Sequence, residues 1–372
     1  MRPSIRDAAR ALALPFVALA ALASCSQQGQ APSVTPVSQT DKNAKKEGAS
    51  LAADTSSFVP VNVSNFVRAE TDVYFSRIVK KGELGKIQHE RQVAPLDHQY
   101  VVRMNRDTLY STGVFDLDAG PVAITLPDSN KRFMSMQVIS EDHYAIDVVN
   151  APASYNCTKE RVGTRYAAIA IRTFADPRSP ADIARASLLQ DAVRVEQASP
   201  GRFEIPSWDP KSQGKVRAAL EALGSTIDDF TGAFGRKEQV DPVKHLIGTA
   251  TGWGGNPPEA AKYFNVVPAA NDGVTVHKIT VKDVPVDGFW SVTVYNSKGY
   301  LEKNDQDAYS LNNVTAKPEA GGVYHLQFGG CNGSVSNCLP IFVGWNYAVR
   351  LYRPRKEVVS GSWKFPPALP VK

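Results

Sequence analysis

Along this chain the spacing of apolar positions switches from a strand-like to a helix-like period and back. Residues 99–104, 109–115, 121–126, 132–140, 143–149 and 166–172 are short runs rich in β-formers. Turn formers separate them at Asp118-Ala119-Gly120-Pro121, Pro127-Asp128-Ser129-Asn130 and Ala151-Pro152. That spacing predicts an antiparallel sandwich or barrel-like sheet. Ahead of this block, Ser64 is placed to cap a helix running towards Lys81. After it, Ser179-Pro180-Ala181-Asp182 reads as a helix start with proline at the first helical position. Ile183, Ala186, Leu189 and Val193 then form an apolar stripe. Val216, Ala219, Leu220 and Leu223 repeat the helical spacing up to Gly224. Ser225 and Asp228 are expected to restart a helix striped by Ile227, Phe230 and Phe234. Asp241-Pro242 opens another, with Val243, Leu246, Ile247 and Ala250. Strands return at 274–281, 289–295, 322–328 and 345–353, and the tail through Phe365-Pro366-Pro367 is extended. The fold expected is mainly β with a helical middle (α+β): two antiparallel β-sandwich-like blocks separated by a helical segment.

The N-terminus has a different pattern. Arg2, Arg6 and Arg10 precede an apolar run from Ala11 to Ala23, which ends in Leu22-Ala23-Ser24-Cys25. The run is shorter than the roughly 20 residues that span a bilayer. A basic start, a short apolar stretch and small residues before the cut read as a removable secretion signal over residues 1–24. A cysteine directly after them is what lipoprotein processing requires, so Cys25 is expected to carry lipid chains; two or more chains anchor firmly. Ser26, in place of an aspartate, points to the periplasmic face of the outer membrane. Residues 25–57 then hold no aromatic residue but much Gln, Lys, Ser, Thr and Ala, too little apolar surface to repay ordering. They read as a tether with a reach of roughly 30 Å. Domain limits follow at 58–175, 176–272 and 273–372.

Charge and cysteine content refine this picture. The net charge of +5 falls to +3 once three arginines and one aspartate leave with the signal. No basic block of the nucleic-acid-binding kind is present, so no nucleic-acid partner is expected. Cys331 and Cys338 bracket a loop rich in turn formers, which in an oxidising compartment predicts a disulfide. Cys157 reads as a buried small residue. No Gly-x-Ser-x-Gly elbow and no His-Glu-x-x-His occurs, which argues against a typical α/β-hydrolase and a zincin-type protease. The glycine stretch from Gly248 to Gly255 lacks the Lys-Ser/Thr of a phosphate loop and reads as a tight turn or a pocket wall.

Longer motifs carry a resemblance. Met104-Asn105-Arg106-Asp107-Thr108-Leu109-Tyr110-Ser111, Arg132-Phe133-Met134-Ser135-Met136-Gln137 and Glu141-Asp142-His143-Tyr144 resemble the core of the domain-of-unknown-function family 1254. The run Asp287 to Asn296, with Gly299-Tyr300, Asn304, Tyr309-Ser310-Leu311-Asn312 and Arg350-Leu351-Tyr352-Arg353-Pro354, resembles family 1214. The resemblance implies a two-part, β-rich bacterial protein, often exported, and no particular reaction.

Candidate chemistry sits in those motifs. Arg106 would clamp a carboxylate or phosphate through its two-pronged guanidinium, with Asn105 beside it, Asp107 holding it in place and Tyr110 donating a proton. The same residues also suit a turn in which Asn and Asp bond the backbone. His143, on a strand over 143–149 that places it on one face with Asp147, is the best catalytic candidate because histidine moves protons near neutral pH; the plain alternative is a hydrogen-bonded core histidine. His98, His245, His277 and His325 lack metal-ligand spacing, and the sequence names no metal and no cofactor. Arg350, on the strand face opposite Trp345, Tyr347, Val349 and Leu351, is expected to bind substrate. Asn304 and Trp290 are further substrate-contact candidates, although aromatics on these strands usually form core.

Two functions are therefore expected to compete. One is an envelope enzyme, hydrolase-like or metal-assisted, acting on a small anionic or ester-like molecule. The other is a non-catalytic envelope lipoprotein that binds a ligand or a protein, held to the membrane through Cys25. Convergence of His143, Arg106 and Arg350 on one cavity would favour the enzyme. A slot between the two β-blocks is where a pocket is expected. Oligomeric state is not set by the sequence.

Overall fold

A computed structural model describes residues 58–371 except Glu83, Tyr100, Val101 and Asp228. The expected signal, Cys25 and the tether lie outside the described residues. The first helix, α1 (Phe66–Lys80), starts at Asn65 rather than at Ser64, and its last turn carries Arg77 and Lys80, cations suited to the negative end of the helix dipole. The first sheet block follows: β1 (Gln88–His89), β2 (Thr108–Asp116), β3 (Val122–Leu126), β4 (Met134–Ser140), β5 (Ala145–Asn150), β6 (Ala153–Cys157), the short α2 (Lys159–Val162) and β7 (Tyr166–Phe174). Five strands pair antiparallel in the order β1-β2-β7-β4-β5. Period-two alternation sends Phe115, Met136, Val138, Ile169 and Ile171 to one face. There they bury against Ile124, Leu126, Tyr155 and Cys157 of a second, smaller sheet.

The middle segment contains α3 (Pro180–Asp191), β8 (Arg194–Glu196), α4 (Pro210–Gly224), α5 (Pro242–Gly252) and β9 (Ala261–Val266). Each of these three helices starts on a proline behind a capping side chain. Ser179 accepts from the Asp182 amide, Asp209 from Lys211 and Ser212, and Asp241 from Val243 and Lys244. Such caps satisfy amides that the helix itself leaves unpaired. β8 returns to the first block and completes the sheet β6-β3-β8, whereas β9 joins the second block.

That second block holds β10 (His277–Val281), β11 (Trp290–Tyr295), β12 (Ser310–Asn312), β13 (Tyr324–Phe328), β14 (Cys338–Leu339), β15 (Asn346–Tyr352), α6 (Lys356–Val359) and β16 (Leu369–Pro370). Its two four-stranded sheets, β12-β11-β15-β9 and β14-β13-β10-β16, enclose Trp290, Val292, Ile279, Leu326, Phe328, Trp345, Tyr347 and Leu351. The architecture is thus mainly β, with two sheet blocks separated by helical segments.

Several expectations are corrected. The described residues of 99–104 form no strand: Arg103 has a left-handed φ of 54°, and Gln99 exchanges hydrogen bonds with the Leu301 backbone instead of a neighbouring strand. The helix expected after Ser225 is replaced by turns, in which Gly232 and Gly235 take positive φ, while Ile227 and Phe230 still pack on the helices. Gly248 and Gly252 lie inside α5 rather than beyond it. The strand expected from 143 begins at Ala145, because His143 occupies a turn at φ 61°.

Candidate functional site

Where the two blocks meet, each presents a polar sheet face. On β2 and β7, Tyr110 and Arg172 are direct cross-strand partners, so their side chains share one face. Ser135 pairs with Arg172 from β4. On β15, Arg350 and Tyr352 alternate with the core residues Val349 and Leu351. Tyr263 of β9 and Ser291 of β11 flank Arg350. Phe174, Ala261, Phe289 and Tyr352 pack together across the junction, which brings the two faces against each other.

The hydrogen bonds at this seam are directional. Arg350, 4% exposed, donates to Thr293 Oγ1 at 3.0 Å, to the Tyr295 hydroxyl at 2.6 Å and to the Arg103 carbonyl at 2.7 Å. Thr293 donates to Ser310 Oγ at 3.2 Å, and Ser310 donates to Asp107 Oδ1 at 2.8 Å. Asn312 also donates to Asp107 Oδ1. The fully buried Asp107 has no partner on Oδ2. Asn105 accepts the Asp107 amide and donates to Thr108, Tyr352 and Tyr110. Arg106 lies at the rim with its guanidinium 5.3 Å from the Tyr309 ring centre, bonded to the Ala94 carbonyl and with Nε unpaired. Arg106, Asp107, Tyr309, Ser310 and Asn312 line a pocket of about 10 Å³, room for about one water.

Arg172 forms the other half of the seam. It donates to Gln137 Oε1 at 2.9 Å, to Asn256 Oδ1 at 3.4 Å and to the Gly254 carbonyl at 3.1 Å. Asn256 in turn donates to the Tyr263 hydroxyl at 2.8 Å. Burial pushes the phenol of Tyr263 up, and that of Tyr352 well up, from the ordinary tyrosine value, so both stay neutral donors near neutral pH.

The structure therefore brings Asn105, Arg106, Asp107, Tyr110 and Arg350 to one seam. It leaves His143 out. No hydrogen bond, ion pair or ring contact among the described residues joins His143 to any of those five. Its Nε2 accepts from the Gly254 amide at 2.8 Å, which places the proton on Nδ1, donated to Thr249 Oγ1 at 2.8 Å. The Thr249 hydroxyl in turn donates a hydrogen bond to the His245 carbonyl. Burial, then the adjacent His245, hold this imidazole well below the ordinary histidine value. With both nitrogens engaged and 2% exposure, the ring ties the strand start at Ala145 to Gly254 and to α5 through Thr249. Trp290 is buried in the second block's core against Tyr324 and Phe365. Asn304 closes its own loop through Gln306 and Ala308. Cys331 and Cys338 form a disulfide. Cys157 is buried, and burial pushes its thiol up to about 12. Among the described residues, no group of three His, Cys, Asp or Glu is placed to hold a metal ion.

Arg172, Asn256 and Tyr263 escaped the sequence reading. For Arg172 a signal exists: it is one charged residue inside the apolar strand Tyr166–Phe174, and a buried charge asks for a reason.

Residues 84–156 match the family described as protein of unknown function (DUF1254), and residues 267–356 match protein of unknown function (DUF1214). The chain carries these two segments in that order, as the motifs implied. No curated protein matches the sequence. Among solved structures, the VPA0106 protein of Vibrio parahaemolyticus is similar at 17% identity and a TM-score of 0.63, over 83% of this chain and 98% of that one. A protein from Burkholderia cenocepacia is similar at 14% identity and a TM-score of 0.47, over 83% and 87%. The first of these likenesses shows a shared fold. Arg172, Asn256 and Tyr263 all fall between the two family matches.

Proposed function

We propose that this chain is a lipid-anchored protein of the bacterial cell envelope that binds a small ligand at the seam between its two sheet blocks without turning it over. One observation carries the reading: the blocks meet through polar faces whose buried ionic groups, Arg172, Arg350 and Asp107, form no ion pair within 4 Å among the described residues. Burying ionic groups without counter-charges is costly, and a seam built only to hold two blocks together is cheaper when apolar. The envelope address rests on Leu22-Ala23-Ser24-Cys25, and the Cys331–Cys338 disulfide suits an oxidising compartment. The enzyme reading loses its foremost proton carrier, since both His143 ring nitrogens are bonded to Gly254 and Thr249, and it would have to run on Asp107 and Tyr110 alone.

The test is thermal unfolding of the full chain in detergent against a panel of cationic, zwitterionic, neutral and anionic small molecules, with recovery of any binder for mass analysis. The expected result is one class that raises Tm, loses its effect when Asp107→Asn alters the seam, and is recovered unchanged. A panel without effect, or a binder returned as product, overturns the reading. Cys25→Ser should move the protein from the membrane to the soluble envelope fraction.

A further inference from the structure

We propose that the ligand bound at the seam is an oxyanion, a carboxylate or a phosphate, received by Arg172 together with the hydroxyls of Tyr110, Tyr263 and Tyr352. This rests on the seam being a ligand site and names the chemistry it selects.

The first argument is charge. Arg172 and Arg350 are 8% and 4% exposed, and arginine stays protonated. The acceptors of Arg172 are Gln137, Asn256 and the Gly254 carbonyl, and those of Arg350 are Thr293, Tyr295 and the Arg103 carbonyl, all neutral. Asp107 is the carboxylate nearest Arg350 in this network, and it is reached only through Thr293 and Ser310. Among the buried groups, two guanidiniums face one carboxylate, one positive charge in excess; at the rim Arg106 has Asp307 near it.

The protons at the cluster also point one way. Asn105 Oδ1 accepts the Asp107 amide, so its Nδ2 faces Tyr352 at 3.1 Å and Tyr110 at 3.4 Å. Asn256 Oδ1 accepts from Arg172, which only donates, so its Nδ2 faces Tyr263. The phenol oxygens of Tyr352 and Tyr263 are therefore acceptors from amides, the Tyr110 oxygen lies at 3.4 Å from the same Asn105 nitrogen and beside Arg172, and no hydrogen bond among the described residues takes up the three phenol protons. The groups lie close together. The Arg172 guanidinium is 5.8 Å from the Tyr110 ring centre, and the Tyr263 and Tyr352 rings stand perpendicular at 6.4 Å. Three free phenol protons beside a guanidinium without a counter-ion present donors and no acceptors. A cation would meet the positive Arg172, whereas an oxyanion takes a charge-assisted hydrogen bond from it and further ones from the phenols. Tyr263 is 37% exposed along its ring, while its hydroxyl end is buried with Tyr352 and Arg172, so a ligand reaches the cluster only by displacing that ring.

The experiment titrates the full chain with inorganic phosphate, phenyl phosphate, acetate and succinate, with choline and glucose as controls. Affinity is read by calorimetry, and the tyrosine absorption band reports the phenols directly. At least one anion should bind and perturb that band; phosphates against carboxylates decides the source. Arg172→Gln should weaken binding by about tenfold or more, and Tyr263→Phe by several-fold. Tyr263 is partly exposed, so its variant serves if Arg172→Gln does not fold. Unchanged anion affinity in Tyr263→Phe and in folded Arg172→Gln overturns the proposal. Binding of choline or glucose alone, sensitive to Asp107→Asn, overturns it while the ligand-binding reading stands. Binding of nothing overturns both.

Discussion

Asp72 offers the sharpest check on the energetics of this fold. It sits on the inner face of α1 at 1% exposure. Its Oδ2 accepts from Trp208 Nε1 at 2.7 Å, and its Oδ1 has no partner. Burial first of all raises its pKa from 3.8 to about 6; Glu141 and Asp142 add to the rise, while Trp208 and Arg68 oppose it. A carboxyl raised in the folded state prefers to be protonated there. Its contribution to stability is full below pH 3.8, falls as the unfolded chain ionises first, and is gone above about pH 6. The rise corresponds to about 3 kcal/mol at about 1.36 kcal/mol for each tenfold change in acidity. Asp72→Asn keeps an oxygen for Trp208 and cannot ionise. At pH 7.5 the variant should therefore exceed the wild type by about 1–3 kcal/mol, and by pH 4 most of that gap should have closed. Urea unfolding followed by tryptophan fluorescence, at pH 4, 5, 6 and 7.5 and constant ionic strength, measures this directly. Equal stability at pH 7.5, or a gap that persists at pH 4, refutes the reasoning.

Other perturbations test other parts of the molecule. Arg132 makes a two-pronged bridge to Asp182 at 2.6 and 2.8 Å and also holds the Phe174 carbonyl. Arg132→Ala should cost about 3 kcal/mol at pH 7. Arg132 is the main reason the Asp182 carboxyl lies well below the usual range, so the deficit should shrink as acid protonates Asp182; a deficit constant down to pH 2.5 in chemical denaturation contradicts this. His143→Ala removes the acceptor for Gly254 and the donor to Thr249 and should cost about 3 kcal/mol; wild-type stability in the same assay would show the ring is not an anchor. Replacing Cys331 and Cys338 together by serine opens a loop with a sequence separation of 7 and should cost about 2.5 kcal/mol by the loop-entropy relation, detectable as a lower Tm that added reductant leaves unchanged in the variant.

Local signals in the sequence located what local forces build. Ser179 and Asp241 cap helices through bonds to residues two or three positions ahead, so their geometry is written in a few adjacent residues. The strands over 109–115, 132–140 and 289–295 were visible because they are short runs of β-formers between turn residues, in which apolar side chains alternate with polar ones although both faces are buried. β6 and β8 were not, because they are short and partly exposed. β9 was missed since its strand pattern sits inside a helical stretch and its partner β15 is some eighty residues further along. His143 shows how a small error propagates: one left-handed residue delays the strand to Ala145, and every face assigned from residue 143 loses its meaning. At the seam, Asn105, Asp107, Tyr110 and Arg350 were legible as polar residues in dense motifs. Arg172 and Tyr263 acquire their role only when two sheets stack, a pairing that no local pattern encodes.

The same stacking bears on where the second half begins. The DUF1214 match starts at residue 267, yet the sheet β12-β11-β15-β9 is closed on one side by residues 261–266. Removing that strand leaves the whole length of β15, from Asn346 to Tyr352, as an open edge, and unpaired strand edges recruit other chains. It also removes Ala261 from its cluster with Phe289 and Tyr352, and Tyr263 from beside Arg350. A fragment spanning 258–372 should consequently be more soluble than one spanning 267–372, although the shorter one contains the entire family match. Size-exclusion chromatography of the two fragments under one set of conditions decides the matter. A monomeric 267–372 fragment would show that β15 tolerates an open edge and that β9 belongs to the seam rather than to the sandwich.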